Sequence, residues 1–310
     1  MVERKEMEID MDIRVSYGSA LELGLKSGEI EEKPTTAYLM IPGEEKCRGG
    51  CNFCPQSEGD SKWLSRVSWP LFDLESVKEK LRRSDIKRIC IQSPDIPDYE
   101  EKLKKVVNEL DSLGKPISLS APPLEKETLK SMKGSVERVG IGIDAATDSL
   151  RSEAKPSYQP MVFWDYLGNV VDIYGEGKAT AHIIVGLGED FGELVSAVKK
   201  SIEVGAEVSL FPYNDGKDGA ELPYYRRAQL VTSLINNRMG TKTAIKLISE
   251  KPRKALAMVD EEQVFQTQGC PRCNRPYYTS SPGDEHRNFP RKPKAEEIEK
   301  IRKEIIGDDD

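Results

Sequence analysis

Three cysteines stand close together near the start of the chain, just after an apolar run. They are Cys47, Cys51 and Cys54, within the sequence Cys-Arg-Gly-Gly-Cys-Asn-Phe-Cys. One short loop can supply three thiolates to a [4Fe-4S] cluster, and a set of three leaves the fourth iron open. Zinc is the alternative metal. Structural zinc sites usually take a fourth Cys or His nearby, and none lies within thirty residues of this group.

The motif resembles that of the radical S-adenosylmethionine (SAM) superfamily. Its continuation over residues 51–57, Cys-Asn-Phe-Cys-Pro-Gln-Ser, is similar to biotin synthase and its relatives. The resemblance implies that the open iron chelates the amino and carboxylate groups of SAM. An electron from the cluster then cleaves the sulfonium and releases a 5′-deoxyadenosyl radical. Phe53 is expected to pack beside the adenine, although an ordinary loop aromatic is the alternative.

The three remaining cysteines are candidates for a second cluster. Cys270 and Cys273 form a Cys-x2-Cys pair, which can present two ligands to one metal. Cys90 resembles the strand cysteine that ligates the auxiliary cluster of biotin synthase, so the resemblance implies three thiolates for an auxiliary iron–sulfur cluster. A fourth, non-thiolate ligand could be Arg275, Ser280 or Ser281. A buried free cysteine at position 90, and a zinc site or redox dithiol at the pair, stay open as alternatives.

The composition limits the class of protein. The chain has 310 residues, and its 46 Lys and Arg against 53 Asp and Glu give a net charge of −7. This acidic balance disfavours a nucleic-acid binder. No apolar run is long enough to span a membrane, and the polar amino terminus is unlike a signal peptide. We therefore expect a cytoplasmic protein whose cysteines stay reduced and serve as ligands.

The elements that must position these residues alternate regularly. Six strand-like runs cover residues 36–41, 86–92, 116–121, 136–144, 180–188 and 208–213. Amphipathic stretches separate them, so six β-α units predict a parallel sheet, and right-handed crossovers would curl it towards a barrel. The resemblance implies the same α/β fold, an open six-stranded parallel (β/α)6 partial barrel, here followed by a C-terminal cluster-binding extension.

Helix signals and composition divide the chain further. Helices are predicted over residues 99–113, where Asp98 is a plausible N-cap and Glu101 stands three residues on, and over 193–204, 223–238 and 295–306. We predict an N-terminal extension over residues 1–35, the partial barrel over 36–240, and a C-terminal extension over 241–310 that carries the Cys-x2-Cys pair.

Alternation along the strands predicts which side chains enter the lumen. Cys90, Ser118 and Ser120 alternate with isoleucine and leucine, and Asp144 ends an alternating strand. The apolar set would face the helices and the polar set would line a lumen that holds a ligand. An open sheet with one wet face is the alternative.

Several lumen residues are candidates for contacts with SAM. Ser118 and Ser120 could bond to its carboxylate or ribose, and Asp144 could take a ribose hydroxyl or cap the next turn. Residues 184–189, Ile-Val-Gly-Leu-Gly-Glu, are similar to the fifth-strand segment of many superfamily members, and Glu189 supplies the carboxylate. The usual Gly-Gly-Glu segment after the second strand is missing, and residues 92–95 read Gln-Ser-Pro-Asp.

An auxiliary cluster beside the SAM site indicates sulfur insertion. Biotin synthase and lipoyl synthase use a sulfide of that cluster as the sulfur donor. The combined motifs resemble the split, two-protein lipoyl synthases. This implies SAM and two [4Fe-4S] clusters as cofactors. It also implies an octanoylated lipoyl-carrier protein, a second homologous radical SAM subunit and an electron donor as partners. The alternatives are a biotin-synthase-like enzyme with another substrate (biotin synthesis, a mutase or cofactor maturation) and a non-catalytic iron–sulfur carrier.

Overall fold

A computed structural model describes residues 11–43, 45–213 and 220–307. The outermost residues of both predicted extensions, 1–10 and 308–310, lie outside this part. The strands of the described residues are β1 (Asp12–Val15), β2 (Thr36–Met40), β3 (Trp63–Leu64), β4 (Val67–Ser68), β5 (Leu71–Asp73), β6 (Arg88–Gln92), β7 (Ile117–Ser120), β8 (Val136–Asp144), β9 (Ala179–Val185) and β10 (Glu207–Pro212).

The helices surround the sheet and follow most of its strands. They are α1 (Tyr17–Glu22), α2 (Leu74–Arg83), α3 (Tyr99–Asp111), α4 (Lys126–Met132), α5 (Asp148–Ala154), α6 (Met161–Tyr174), α7 (Phe191–Glu203), α8 (Leu222–Asn236), α9 (Thr241–Glu250), α10 (Pro252–Leu256), α11 (Glu261–Val264) and α12 (Ala295–Ile306).

Six parallel strands form the body of the main sheet. They lie side by side in the order β2, β6, β7, β8, β9, β10. Each comes from one of the six strand-like runs of the sequence, so the prediction of an α/β fold with a parallel sheet is confirmed. The chain order equals the spatial order because each crossover passes through helical sequence and returns next to the strand that it left.

The predicted strand count is wrong, because two antiparallel strands extend the sheet to eight. β1 pairs with β2, and β5 pairs with β1. The two strands have only four and three residues. Within a polar stretch of sequence, strands this short give no recognisable alternation of apolar and polar residues. β10 and β5 are the two edges of this sheet, so it is open and no barrel is closed.

Helix starts differ from prediction where capping decides them. Asp98 precedes α3 as expected, but its backbone is left-handed at φ 56° and its side chain makes no capping hydrogen bond. Glu101 instead pairs with Lys104, with 2.8 Å between Oε1 and Nζ. At α7 the side chains of Asp190 and Glu193 form a complete capping box, which starts the helix at Phe191, two residues before the predicted start.

The two faces of the parallel strands differ as alternation predicts. Ile89, Ile91 and Ile117 are fully buried in the apolar core beneath the helices. Burial of each such side chain contributes about 1.5–3 kcal/mol to the free energy of unfolding. The alternate residues of the same strands point to the opposite face, where they surround a cavity.

Candidate active site

A cavity of about 400 Å³ lies on the inner face of the sheet. All six parallel strands contribute to its wall. All six cysteines of the chain also line it. The strand residues in the wall are Tyr38, Met40, Cys90, Gln92, Ser118, Leu119, Ser120, Gly140, Gly142, Asp144, His182, Ile184, Phe211 and Pro212.

The first cysteine trio, Cys47, Cys51 and Cys54, lies on the loop after the carboxyl end of β2. The loop is attached to the segment after β6 through Asp95, whose backbone N–H donates to Cys47 Sγ over 3.2 Å. The Asp95 carboxylate forms an ion pair with Arg48, with 2.6 Å between Oδ1 and Nη2, and accepts a hydrogen bond from the Tyr158 hydroxyl. In this structure Asp95, of the unusual Gln-Ser-Pro-Asp segment, therefore holds the cysteine loop against the sheet.

The environments of Cys51 and Cys54 favour protonated thiols until a metal binds. Burial raises the pKa of Cys51 to about 12, with the nearby Lys155 ammonium opposing the rise. Burial also raises the pKa of Cys54. Cluster ligands are thiolates, so assembly here must release protons.

The second cysteine trio, Cys90, Cys270 and Cys273, meets at the other end of the lumen. Cys90 lies in the middle of β6, and the Cys-x2-Cys loop is attached to the amino ends of two strands. Thr36 Oγ1 donates to the carbonyl oxygen of Arg272 over 3.1 Å, and Arg88 Nε donates to that of Pro271 over 3.0 Å. The two trios therefore occupy opposite ends of one cavity.

The three thiols of the second trio are close enough to affect one another. Burial raises the pKa of Cys90 well above its ordinary value, and Cys273 and Cys270 raise it further. The pKa of Cys270 is raised by burial and then by Cys273. The fold thus brings together three thiols that stand far apart in the sequence, and their role as ligands stays a prediction.

The donor sets suit iron–sulfur clusters in number and chemistry. Each end of the lumen offers three thiols and an adjoining hydrogen-bond donor. Among residues 11–43, 45–213 and 220–307, no three His, Cys, Asp or Glu side chains converge as one metal ion requires. In a four-iron cluster each thiolate binds a different iron, so such convergence is not required there.

Of the three candidates for the fourth ligand of the auxiliary cluster, only Arg275 lines the cavity. Its Nη2 donates to Ser209 Oγ and to the Gln268 carbonyl, both over 2.7 Å. Its guanidinium lies 4.3 Å from the centre of the Phe211 ring. Neither serine candidate is part of the cavity wall, and the hydroxyls of both already accept a hydrogen bond. Ser280 accepts from the Arg287 N–H over 3.1 Å, and Ser281 accepts from Arg66 Nη1 over 3.2 Å.

Of the residues expected to contact SAM, four line the cavity and one does not. Phe53, Ser120 and Asp144 line the cavity. Ser118 lines it as well, but it accepts a hydrogen bond from Arg88 Nη1 over 2.8 Å and bonds to Cys270, at the end of the second trio. Glu189 is not part of the cavity wall. Its carboxylate accepts hydrogen bonds from the N–H groups of residues 186 and 187, over 2.6 and 2.9 Å, and so closes its own turn.

A buried ion pair beside the first trio was not predicted as such. Lys155 follows α5, and its Nζ lies 2.7 Å from Asp144 Oδ2. The same ammonium donates to the Gly142 carbonyl over 2.8 Å and lies 3.5 Å from the centre of the Phe163 ring. The two charges are mostly buried, so their attraction is weakly screened. Lys155 is thus a fixed cation next to Cys51, where an anionic ligand group would find a partner.

The middle of the lumen holds a histidine that the sequence reasoning missed. His182 lies on β9, and its ring packs edge-on against Phe211, with 5.2 Å between ring centres. Burial, together with the charges of Arg275 and Lys155, lowers the pKa of His182 to about 3, so the imidazole is neutral at physiological pH. Alternation on β9 was the available signal, because His182 and Ile184, two residues apart on that strand, both face the cavity.

Gly140 leaves space for the His182 imidazole. A methyl group at position 140 should therefore be destabilising. A Cβ at position 140 would lie 2.6 Å from His182 Cε1. We expect Gly140→Ala to lower the free energy of unfolding by about 1–3 kcal/mol. The matched control is Gly168→Ala in helix α6, where a Cβ meets nothing within 4 Å and should raise stability by about 0.5–1 kcal/mol. Urea unfolding measures both, and equal midpoints would contradict the packing.

The fold and the site together define a class. An open parallel α/β sheet with a Cys-x3-Cys-x2-Cys loop after its first parallel strand is the arrangement of a radical SAM enzyme. The family model described as the Radical SAM superfamily matches residues 42–200, and the chain belongs to that superfamily. Membership implies SAM and one [4Fe-4S] cluster, which the first trio fits in number and donor type. No curated protein sequence matches the chain.

Three solved structures are similar to this chain at low sequence identity. The FeFe-hydrogenase maturase HydG from Carboxydothermus hydrogenoformans is 14% identical over 66% of this chain and 51% of its own, with a TM-score of 0.48. A radical SAM methyltransferase from Sphaerobacter thermophilus is 16% identical over 61% and 60%, with a TM-score of 0.44. TYW1 with a lysine-pyruvate adduct is 12% identical over 72% and 81%, with a TM-score of 0.43. The chain therefore spans about half the maturase and 60% of the methyltransferase.

In the part of the chain that the structure describes, no helix combines the length and the hydropathy that crossing a bilayer requires.

Proposed function

We propose that this chain is a radical SAM sulfurtransferase that inserts sulfur into the octanoyl chain of an octanoyl-lysyl carrier protein, with an auxiliary iron–sulfur cluster as the sulfur donor. The observation that carries the proposal is the second trio. Cys90, Cys270 and Cys273 line the same cavity as the first trio and lie at its opposite end. A substrate carbon between the two ends would face a radical source on one side and a sulfur source on the other.

The residues at the first end are suited to hold the cofactor. When bound, the cluster and SAM would supply a 5′-deoxyadenosyl radical that removes a hydrogen atom from an unactivated C–H bond. Cys47, Cys51 and Cys54 would ligate the cluster. Lys155 offers its ammonium to the methionyl carboxylate, and Asp144, fixed by Lys155, can accept a hydrogen bond from a ribose hydroxyl. Both positions are set before the cofactor arrives, which reduces the cost of ordering them.

The middle of the lumen suits a hydrocarbon chain that reaches it from outside. Met40, Leu119, Ile184 and Phe211 supply apolar wall between the two ends. An apolar wall excludes water, and a carbon radical formed there is therefore protected from side reactions. An octanoyl group on a lysyl arm is long enough to enter through the open side of the sheet. The carrier protein, an electron donor and a homologous second subunit that adds the other sulfur are therefore the partners that we propose.

One observation favours a second candidate. The neutral His182 imidazole faces the lumen, and a plain alkyl chain offers it no hydrogen bond. A biotin-synthase-like enzyme whose substrate carries an uncharged polar group near the reacting carbon would use this imidazole. The two candidates differ in substrate and share the radical chemistry.

The test is a sulfur-labelled turnover. Protein is reconstituted anaerobically with iron and ³⁴S-sulfide and incubated with an octanoyl-lysyl peptide, SAM and reductant, and the peptide is analysed by mass spectrometry. We expect a monothiolated peptide whose sulfur is ³⁴S, because one auxiliary cluster in one chain is spent after a single insertion. The same peptide with the Cys273→Ala variant is the control and should gain no sulfur.

Two outcomes contradict the proposal. An octanoyl peptide that gains no sulfur while 5′-deoxyadenosine is formed and both clusters are intact would favour the second candidate. Two sulfurs added by this chain alone would show that no second subunit is needed.

A further inference from the structure

Tyr38 is the side chain that contacts the sulfur of Cys273. It lies on β2 and is 1% exposed, and its hydroxyl oxygen is 3.5 Å from Cys273 Sγ. The same oxygen accepts a hydrogen bond from the backbone N–H of Arg275 over 2.8 Å. Because a thiolate can only accept, the phenolic O–H is the donor of the pair whenever Cys273 is a ligand.

The tyrosine is held so that this hydrogen bond is formed in advance. Its ring packs against Tyr278, with 5.2 Å between ring centres, and Trp69 packs edge-on against Tyr278 at 6.2 Å. The Tyr38 backbone N–H donates to Ser19 Oγ over 3.0 Å. Tyr38 and its aromatic neighbours are buried, so the phenol is shielded from water on that side and its hydrogen bond is electrostatically stronger than one in solvent.

We propose that Tyr38 is a positioning residue that raises the reduction potential of the auxiliary cluster through its O–H···S hydrogen bond to Cys273. This inference rests on the proposed function. A hydrogen bond to a ligand sulfur draws electron density away from iron and favours the reduced cluster. Tyr38 acts on the metal only through the cysteine.

The direction of this effect matches the proposed chemistry. In sulfur insertion, the cluster that Cys90, Cys270 and Cys273 would hold would supply a sulfide. The new C–S bond would take one electron from the substrate carbon radical and one from the sulfide lone pair, and the iron bonds to that sulfur would break as it leaves with the product. The other electron of the lone pair would reduce a cluster iron, so no separate oxidant would be needed, and a higher reduction potential would favour this gain.

The experiment measures the auxiliary cluster by itself. The full-length Cys51→Ala protein, reconstituted with iron and sulfide, is titrated potentiometrically and followed by electron paramagnetic resonance. Adding Tyr38→Phe keeps the ring and removes only the hydroxyl, and it should shift the midpoint potential to a lower value. The matched control is Tyr174→Phe. The Tyr174 hydroxyl on α6 donates to the Leu129 carbonyl over 2.9 Å and is not part of the cavity wall, so its loss should leave the potential unchanged.

A second measurement does not depend on comparing potentials. Deuterium exchange should shift the Fe–S(Cys) stretching bands in the resonance Raman spectrum of the Cys51→Ala protein, and this shift should be reduced in the Tyr38→Phe variant. Equal potentials with and without the Tyr38 hydroxyl, an equal shift from Tyr174→Phe, or a Cys51→Ala protein that binds no iron would each overturn the inference. A lowered potential in a protein that adds no sulfur to any octanoyl peptide would support the role of Tyr38 and refute the proposed function.

Discussion

Replacing Cys51 with alanine is expected to abolish 5′-deoxyadenosine formation, whereas replacing Cys273 should preserve it and abolish sulfur transfer. The reason is the separation of the two trios along the lumen. Cys51 stands on the loop held by Asp95 and Arg48 beyond the carboxyl end of the sheet. The Cys273 loop is attached to the amino ends of β2 and β6. Loss of one ligand set therefore leaves the other end assembled.

The measurement combines product and metal analysis. Chromatography of the dithionite-reduced reaction quantifies 5′-deoxyadenosine, and the iron content should fall from about eight to about four atoms per chain in either variant if both clusters are [4Fe-4S]. Ser196→Ala is the control, because Ser196 lies on α7 outside the cavity wall and its hydroxyl donates to the Gly192 carbonyl over 2.8 Å. If the Cys273 variant loses 5′-deoxyadenosine as completely as the Cys51 variant, the C-terminal pair serves cofactor cleavage or folding instead.

The sequence was informative where one local rule governs the outcome. Period-two alternation placed Ile89 and Ile91 beneath the helices and Cys90 in the lumen, because successive side chains of a strand must point to opposite faces. The spacing of Cys47, Cys51 and Cys54 also indicated the cluster loop by a local rule, because residues on one short loop are close together in space.

Contacts between residues far apart in the sequence could not be predicted from such local rules. Lys155 follows a short helix with no motif around it, and its importance arises only when the fold sets it against Asp144 and beside Cys51. Glu189 shows the converse. Its motif is similar to a cofactor-binding segment, yet the turn bends back so that the carboxylate binds the backbone of residues 186 and 187. Sequence similarity alone could not show whether the Glu189 carboxylate binds a cofactor or the backbone N–H groups of its own turn.

Replacing Lys155 with methionine should reduce 5′-deoxyadenosine formation by about 30-fold or more, the effect of truncating one partner of a buried, hydrogen-bonded charge pair. Methionine keeps the apolar stem and removes the ammonium that lies beside Cys51 and Asp144. The variant should also lose about 3–5 kcal/mol of stability, because Asp144 is left buried without a counter-charge. Lys200→Met is the matched control. Its ammonium also packs on an aromatic ring, 3.9 Å from the centre of Trp164, but it lies on α7 and is not part of the cavity wall.

A double variant separates the two consequences of removing Lys155. In Lys155→Met with Asp144→Asn neither charge remains, so most of the lost stability should return. The missing ammonium cannot be replaced by asparagine, so 5′-deoxyadenosine formation and the affinity for SAM should stay low. Urea unfolding, equilibrium binding of SAM and the reductive cleavage assay measure the three quantities on the same preparations. Recovery of cleavage together with stability in the double variant would mean that the ion pair only supports the fold. Recovery of stability alone would mean that the pair, Lys155 together with Asp144, binds the cofactor, as expected for two charged groups in the cavity wall beside the first trio.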